Sequence, residues 1–145
     1  METRIFKAQL DRLDDVISFI DEELEKAGAD MKLQTKLDIA VEELFVNVAH
    51  YAYSKLPEPP VDEEGQVDGE CEITAGVDSE GYFTIRIKDA GVPFDPTAKA
   101  DPDINLSAEE REIGGLGIYM VKNFMDRVVY EREGDRNVIT IAKKL

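Results

Sequence analysis

The sequence predicts an α/β protein, a two-layer sandwich in which three helices cover one face of a mixed, mostly antiparallel sheet. Two observations support this prediction. Neighbouring segments alternate apolar and polar residues, which indicates strands that follow one another and pair antiparallel. Alternating strands bury a single face, so the three segments with a helical period should lie together on that face. A chain of 145 residues has room for one core, so we treat residues 1–145 as a single domain.

The first half of the chain predicts one strand and two helices. Residues 3–9 form a short strand, although their alternation is weak. Residues 11–27 have the helical period, and Gly28 can end that helix. Asp30 can cap a second helix over residues 31–52. The apolar positions that recur at helical spacing are Leu13, Val16, Ile17, Ile20 and Leu24, followed by Leu33, Leu37, Val41, Leu44 and Val48.

The second half predicts four strands and a third helix. Residues 89–113 separate the middle strands from that helix and contain three prolines. A stretch of this length without periodicity is uncommon in a small domain, and it is more often a functional lid than a spacer. The predicted bounds are 70–77 and 82–88 for two strands joined by a turn at 78–81, 115–127 for the helix, and 128–132 and 137–143 for a final hairpin.

The composition excludes several classes of function. The chain has 17 Lys and Arg against 32 Asp and Glu, which gives a net charge of −15. Nucleic acid and anionic lipid both require basic residues, so we expect neither as a partner. No apolar run reaches the ~18–20 residues that span a bilayer, and no apolar segment of a signal peptide follows the N-terminus. Cys71 is the single cysteine, so no internal disulfide forms and we expect a cytoplasmic protein.

The acidic charge is concentrated in one segment. No basic residue occurs between Lys55 and Arg86, and residues 56–60 contain three prolines. We interpret residues 54–69 as a solvated acidic loop, because neither flank could form a core alone. A docking surface for a basic partner is the alternative interpretation.

Two polar residues on the second predicted helix are candidates for chemistry. Glu43 and Asn47 are four residues apart, so they are neighbours on one helix face, beside the apolar stripe. An asparagine oxygen can bind a hard cation such as Mg²⁺, and a glutamate can accept a proton from a nucleophile. An ordinary polar flank of a helix has the same pattern, so both explanations stay open.

Asp89 and a group of glycines are the other candidates. Asp89 follows a predicted strand and has Gly91 beside it, which would allow a ligand to approach closely; a plain turn has the same pattern. Gly114, Gly115 and Gly117 occur at the start of the third helix, although a glycine in a helix interior costs about 1 kcal/mol. Backbone N–H groups without Cβ atoms beside them could bind an anion there. A hinge for the lid is the alternative.

Other motifs for nucleotides, metals and nucleophilic catalysis are absent from the sequence. It has no G-x-x-x-x-G-K-[ST] motif, and Gly115-x-Gly117 lacks both the preceding strand and the third glycine of a dinucleotide-binding motif. His50 is the only histidine, which excludes an ordinary His/Cys zinc site and a Ser-His-Asp triad. We expect His50 to be packed or on a helix surface.

The order and spacing of these motifs resemble a known family. Glu43-x-x-x-Asn47 on a helix, Asp89-x-Gly91 after a strand and Gly115-x-Gly117 at a helix start resemble the N, G1 and G2 boxes of GHKL (Bergerat-fold) ATPases. Their histidine-kinase-like fold is a two-layer sandwich of the predicted kind. Within that superfamily the chain is similar, over nearly its whole length, to the stand-alone anti-sigma-factor serine/threonine kinases.

The resemblance implies a role for each of these residues. Glu43 would act as the catalytic base, and Asn47 would hold Mg²⁺ that bridges the phosphates of ATP. Asp89 would accept a hydrogen bond from the adenine amino group, and Gly91 would let the base approach. The backbone that binds the phosphates would come from Gly114, Gly115, Leu116 and Gly117, with residues 92–114 as the ATP lid.

Two positions differ from the family pattern. Pro93 occurs where many relatives have a second glycine. Asn137 occurs where a serine or threonine often follows a glycine in the penultimate strand. These are the places where we expect the adenine pocket of this chain to have its own shape.

The function that the resemblance implies is an ATP-dependent protein serine/threonine kinase. Such a kinase acts as an anti-sigma factor: it binds a sigma factor and phosphorylates a STAS-domain antagonist, and its relatives are homodimers. A non-catalytic ATP-binding switch that sequesters a partner is the main alternative. The catalytic domain of a two-component histidine kinase ranks lower, since no dimerisation helix with a phosphoacceptor histidine precedes the motifs. An acidic interaction module without nucleotide would leave the glycines at the helix start unexplained.

Overall fold

A computed structural model describes residues 1–98 and 115–145. These residues form five strands and three α-helices, with short 3-10 turns at Leu10–Arg12 and Pro96–Ala98 and a π-helical turn at Val48–Ala52. In chain order the strands and helices are β1 Glu2–Lys7, α1 Leu13–Lys26, α2 Met31–Asn47, β2 Glu70–Val77, β3 Tyr82–Asp89, α3 Gly115–Phe124, β4 Arg127–Glu133 and β5 Arg136–Lys144.

The five strands form one sheet in the order β1-β2-β3-β5-β4. The predicted two-layer fold is confirmed. The sheet was expected to be mixed and mostly antiparallel, but every pairing among the described strands is antiparallel. The chain reaches β5 only after α3 and β4, and β5 then pairs with both β3 and β4. The register places Asp89 opposite Asn137 and Ile87 opposite Ile139, which brings two distant polar residues together at one end of the sheet.

The core lies between the helices and one face of the sheet. Alternate residues of β2 and β3 are buried, as the two-residue period predicted, and the apolar stripes of α1 and α2 pack on them. Of the predicted stripe positions, Leu13, Ile17 and Leu33 are only partly buried. Phe19 and Phe45 are fully buried although they lie outside the predicted stripes. A large aromatic ring beside the apolar stripe of a helix can still reach the core, so the stripe does not include every buried residue.

The helix ends differ from the prediction at two places. The second helix was expected to run to residue 52, but its α-helical hydrogen bonding ends at Asn47 and a π-helical turn follows. The third helix was expected to reach Arg127 but ends at Phe124. The reason is the sheet: the N–H of Asp126 donates to the carbonyl of Ala142 at 2.9 Å, and the Asp126 carboxylate accepts from the N–H of Lys144 at 2.7 Å. The helix N-cap at Asp30 is as expected, since its carboxylate accepts from the N–H of Leu33 at 2.8 Å.

The acidic loop, residues 54–69, is largely exposed and contains local hydrogen-bonded structure. Val61 and Val67 form an isolated antiparallel bridge, and the Asp62 carboxylate accepts from the N–H groups of Glu64 and Gln66, both at 2.9 Å. Local hydrogen bonds of this kind stabilise a turn without a core. The loop is fixed to the end of β1 by an ion pair of 3.2 Å between Lys7 and Asp68.

Two further properties bear on the expectations from composition. No helix in the described part of the chain combines the length and the apolar character needed to cross a bilayer. Cys71 is a free, fully buried thiol on β2, and burial raises its pKa above the ordinary value because the thiolate would be poorly solvated.

Candidate functional site

A small cleft with a cavity volume of about 30 Å³ lies between α2 and the ends of β3 and β5, next to the 3-10 turn at residues 96–98. Its floor is apolar and its walls carry a few polar groups, which is the usual composition of a site for a small molecule. Among the described residues, the side chains that line it are Leu44, Asn47, Val48, Ala52, Ile87, Asp89, Phe94, Pro96, Tyr130, Asn137 and Ile139.

Asp89 is the acidic group of this cleft. It is the last residue of β3 and is buried, with 7% of its surface exposed. Its Oδ1 accepts hydrogen bonds from the N–H of Gly91 and from the Nδ2 of Asn137, both at 2.9 Å. Burial raises the pKa of Asp89, and these two hydrogen bonds together with the charge of Arg132 oppose that rise. No described residue donates to Oδ2, so this oxygen is available to a ligand.

Asn137 holds this carboxylate from the opposite strand. Its Nδ2 donates to Asp89 Oδ1 and, at 2.8 Å, to the carbonyl of Val92. Its Oδ1 accepts from the N–H of Phe94 at 3.1 Å and from the hydroxyl of Tyr130. This network was not predicted, because its members come from three separate segments that the sheet register joins.

Glu43 and Asn47 lie one turn apart on one face of α2, and both are half-buried. Asn47 lines the cleft, and its side-chain amide makes no hydrogen bond within residues 1–98 and 115–145. Glu43, one turn earlier, contacts the start of α3. A Cβ on Gly117 would lie 2.5 Å from both the Cβ and the Cγ of Glu43. The two helices therefore meet where the sequence has its acid–amide pair and its glycines.

Gly91 has a structural explanation that the sequence did not suggest. A Cβ at this position would lie 2.2 Å from the carbonyl oxygen of Ala52, which belongs to the π-helical turn. The same carbonyl accepts from the N–H of Val92 at 2.9 Å. Gly91 does not line the cleft among the described residues. The structure thus explains its missing side chain by contact with the protein backbone, where we had expected contact with a ligand.

Tyr53 is a residue of the site that sequence analysis missed. Its side chain is buried directly after the π-helical turn, and its hydroxyl accepts from the N–H of Ala90 at 2.9 Å and donates to the carbonyl of Glu70. Burial raises its pKa, so the phenol stays protonated and keeps both bonds. Gly69 packs directly against the ring of Tyr53, where a Cβ on Gly69 would lie 2.2 Å from two ring carbons. Tyr53 joins the end of the second helix to the turn after Asp89, and no periodicity in the sequence marks it.

The remaining predicted residues are placed as follows. Gly115 and Leu116 begin α3, whereas Gly114 and most of the expected lid, residues 99–114, lie outside the described residues. His50 is exposed on the π-helical turn and is not among the residues that line the cleft. Within the described ranges, no group of three or more His, Cys, Asp or Glu could hold a metal ion.

The fold and this cleft define the class of protein. Residues 6–143 match the histidine kinase-like ATPase domain, and the chain belongs to that family. The predicted relationship to the GHKL ATPases is thereby confirmed.

Particular relatives narrow the comparison. The chain is 29% identical over 120 residues to the serine-protein kinase RsbW of Listeria monocytogenes. The aligned region covers 79% of this chain and 69% of the relative. It is 29% identical over 98 residues to the anti-sigma F factor of Halalkalibacterium halodurans, which covers 68% of this chain and 60% of the relative. Among solved structures, the SiaB–SiaC complex of Pseudomonas aeruginosa contains a chain of similar fold, with a TM-score of 0.56 at 13% identity over 97% of this chain and 88% of that one.

The donor set of the cleft fits a nucleotide with Mg²⁺. Asn47 offers a neutral oxygen, and Glu43 lies one helical turn away. Mg²⁺ typically takes one or two protein oxygens and completes its octahedron with waters and substrate phosphates. The apolar floor and the open acceptor on Asp89 suit a purine whose exocyclic amine donates a hydrogen bond.

Proposed function

We propose that this protein is an ATP-dependent serine/threonine kinase that acts as an anti-sigma factor and phosphorylates a STAS-domain antagonist. The observation that carries the proposal is the contact between Gly117 and Glu43. It brings the glycine-containing start of α3 against Glu43 of α2, which lies one helical turn before Asn47, a residue that lines the cleft. A base and a phosphate-binding helix start are then adjacent, as phosphoryl transfer requires.

The nucleotide is placed by groups at two ends of the cleft. The adenine amino group donates to Asp89 Oδ2, and the ring packs on the apolar floor. The phosphates extend toward α3, where the backbone N–H groups of Gly115, Leu116 and Gly117 bind them at a helix N-terminus. Gly114 and the remainder of residues 92–114 would close over the ligand as the lid. Asn47 would hold Mg²⁺, which supplies charge neutralisation at the phosphates when bound.

The protein's own contribution to transfer is positioning and proton acceptance. The hydroxyl oxygen of a partner's serine or threonine forms a bond to the γ-phosphorus while the bond to the β-γ bridging oxygen breaks, and ADP leaves. Glu43 accepts the proton of that hydroxyl, so that a neutral alcohol becomes a competent nucleophile. The contact with α3 supports this role, because it sets Glu43 beside the helix start that would bind the phosphates.

The proposed partners follow from the relatives. Two of them bear names that specify a serine-protein kinase and an anti-sigma F factor, and we carry both activities to this chain. A sigma factor would be the protein held inactive, and a STAS-domain protein would be the phosphorylated antagonist. Homodimerisation is part of the proposal, since β1 is an edge strand of the sheet with Ile5 63% exposed.

Glu43→Ala is the substitution that tests the kinase proposal. The variant should bind Mg·ATP in calorimetry with little change, because Asp89 and Asn47 are intact, but it should fail to transfer radiolabelled phosphate to the STAS-domain protein of the same organism. Glu42→Ala, an exposed carboxylate on the same helix, is the matched control and should transfer normally. Full transfer by Glu43→Ala would remove Glu43 from the chemistry. ATP binding without transfer by the unmodified protein would instead favour the non-catalytic switch.

A further inference from the structure

The side chain of Asn137 uses its whole hydrogen-bonding capacity within the protein. A primary amide has two N–H hydrogens and two acceptor lone pairs. Both hydrogens go to acceptors, Asp89 Oδ1 and the carbonyl of Val92, and both lone pairs receive donors, the N–H of Phe94 and the hydroxyl of Tyr130. The side chain is also buried, with 6% of its surface exposed.

This arrangement fixes which way the amide points. A flipped amide would set its oxygen against the Asp89 carboxylate and the Val92 carbonyl, and its NH₂ group against the N–H of Phe94. All of these would be contacts between like partners inside a buried site, where unpaired polar groups cost about 1–3 kcal/mol each. Asn137 therefore has one orientation and no hydrogen left to donate to a ligand.

We infer that Asn137 is a positioning residue that makes the purine pocket selective for adenine. It holds Asp89 so that one carboxylate oxygen stays open as an acceptor. Its own amide hydrogens are already used within the protein, so none of them can donate to the base. The inference rests on the proposed function, since it assumes that a purine nucleotide occupies the cleft. At the open oxygen of Asp89, adenine presents an amino group that donates. Guanine presents a carbonyl at the same ring position, and two acceptors would face each other.

The charge state of Asp89 is the second part of this selectivity. A protonated carboxyl is both donor and acceptor, so it would tolerate guanine as well as adenine. Burial raises the pKa of Asp89, and the Asn137 hydrogen bond acts most strongly against that rise, followed by the N–H of Gly91 and the charge of Arg132. Other titratable groups face Asp89 among the described residues. The phenol of Tyr53 and the thiol of Cys71 stay neutral. Tyr130 lines the cleft with Asp89, and a second pocket is lined by Asp89 together with Asp68, Glu70, Glu72, Lys88 and Arg136. Loss of the amide donor should therefore raise the pKa of Asp89 further.

The test measures Mg·ATP and Mg·GTP affinities of the full chain by calorimetry over the whole pH range in which the protein stays folded. Asn137→Ser should lower the ATP-to-GTP affinity ratio by about tenfold at pH 7, because a hydroxyl can rotate to donate to a ligand and Asp89 loses its fixed donor. The pH at which the ratio falls to half should move upward relative to the unmodified protein. Asn123→Ser is the matched control. Asn123 lies exposed on α3, and within the described part of the chain its side-chain amide donates to the Tyr119 carbonyl alone. The ATP-to-GTP affinity ratio of this variant should equal that of the unmodified protein.

A second variant keeps the shape of the site. Asn137→Asp is isosteric, but its carboxylate cannot donate to Asp89 at pH 8, so ATP affinity should fall about tenfold and recover as pH falls and a shared proton restores a donor. If both folded variants keep the affinity ratio and pH profile of the unmodified protein, the inference on Asn137 is overturned while ATP binding stands. If the unmodified protein binds neither nucleotide, the proposed function itself fails.

Discussion

Gly117 and Glu43 are so close that no side chain fits between them: a Cβ on Gly117 would lie 2.5 Å from two carbons of the glutamate and 2.8 Å from a third, its Cδ. The start of α3 is thereby fixed against the C-terminal part of α2. A glycine at this position lets one helix approach the acidic residue of the other, and the carboxylate is positioned by backbone contact as well as by its own rotamer.

Gly117→Ala should separate these two helices or displace the glutamate. Because a misplacement of about 1 Å can cost about 100-fold in rate, we expect phosphate transfer to the antagonist to fall by about that factor. ATP affinity should also fall, because the Gly117 N–H is one of the proposed phosphate-binding groups, but by a smaller factor, since the proposed contact of Asp89 with adenine stays intact. Gly134→Ala serves as the control, because its Cβ would meet no atom within 4 Å and only its backbone φ of +61° is unfavourable. It should lose stability but not transfer, and a normal transfer rate for Gly117→Ala would contradict the positioning role of the contact.

Asp89→Asn should abolish nucleotide binding. The amide nitrogen would face either the Asn137 donor or the adenine amino group, so one acceptor is lost whichever way the new side chain turns. Calorimetry with Mg·ATP measures the effect, and thermal unfolding shows whether the variant is folded. Glu131→Gln, an exposed acid on β4, should bind as the unmodified protein does. Binding that is unchanged in Asp89→Asn would rule out the assignment of the adenine contact.

Tyr53→Phe should destabilise the protein and loosen the turn after Asp89. The substitution leaves the N–H of Ala90 and the carbonyl of Glu70 without the hydroxyl they share, which should cost about 1–3 kcal/mol in the free energy of unfolding. Nucleotide affinity should fall as well, because the Ala90 bond holds the turn between Asp89 and Gly91. Tyr51→Phe is the matched control: that residue is 45% exposed, and we expect a change below about 0.5 kcal/mol. Equal stabilities for the two variants in urea unfolding would refute the bridging role.

Asp38 should make the free energy of unfolding depend on pH. Desolvation, followed by the neighbouring Asp21 carboxyl, raises the pKa of Asp38 from 3.8 to about 7. The folded state thus holds a proton between pH 4 and 7 that the unfolded chain releases, so this contribution to stability is present below about pH 4 and is lost as pH rises through 7. Asp38→Asn keeps a hydrogen-bond donor toward Asp21 at all pH values. After allowance for solvent screening at this half-buried site, it should stabilise the protein at pH 8 by about 1 kcal/mol.

Urea unfolding of Asp38→Asn at pH 5 and pH 8 checks this prediction. The gain should be present at pH 8 and much smaller at pH 5, where Asp38 in the unmodified protein carries its own proton. Glu42→Gln, exposed on the same helix, should change stability equally little at both values. An Asp38→Asn effect that does not vary with pH would mean that the raised pKa is not the cause.

The secondary structure was largely predictable because the hydrophobic periods are strong. Glu70–Val77 was predicted with its observed bounds, and the N-cap of α2 was recognised from Asp30 alone. The errors in the predicted secondary structure occur at helix ends, because tertiary contacts determine where a helix stops. Asp126 belongs to the sheet and not to α3 because β5 supplies its hydrogen-bond partners, and residues 48–52 turn π-helical beside a chain segment that is 40 positions away. Local propensity contains no information on such partners.

By itself the sequence determined the fold class, the three motifs and the family to which they belong, since alternation, capping residues and motif spacing are local properties of the chain. Only the tertiary structure decided how those motifs meet. It set Asp89 beside Asn137 through the register of β3 and β5, and it placed Gly117 on Glu43 through the packing of α2 and α3. Hydrogen bonds and steric contacts between distant residues exist only once the sheet and the core have formed. This is why the hydrogen-bond partners of Asn137 and Tyr53 could not be predicted from the sequence.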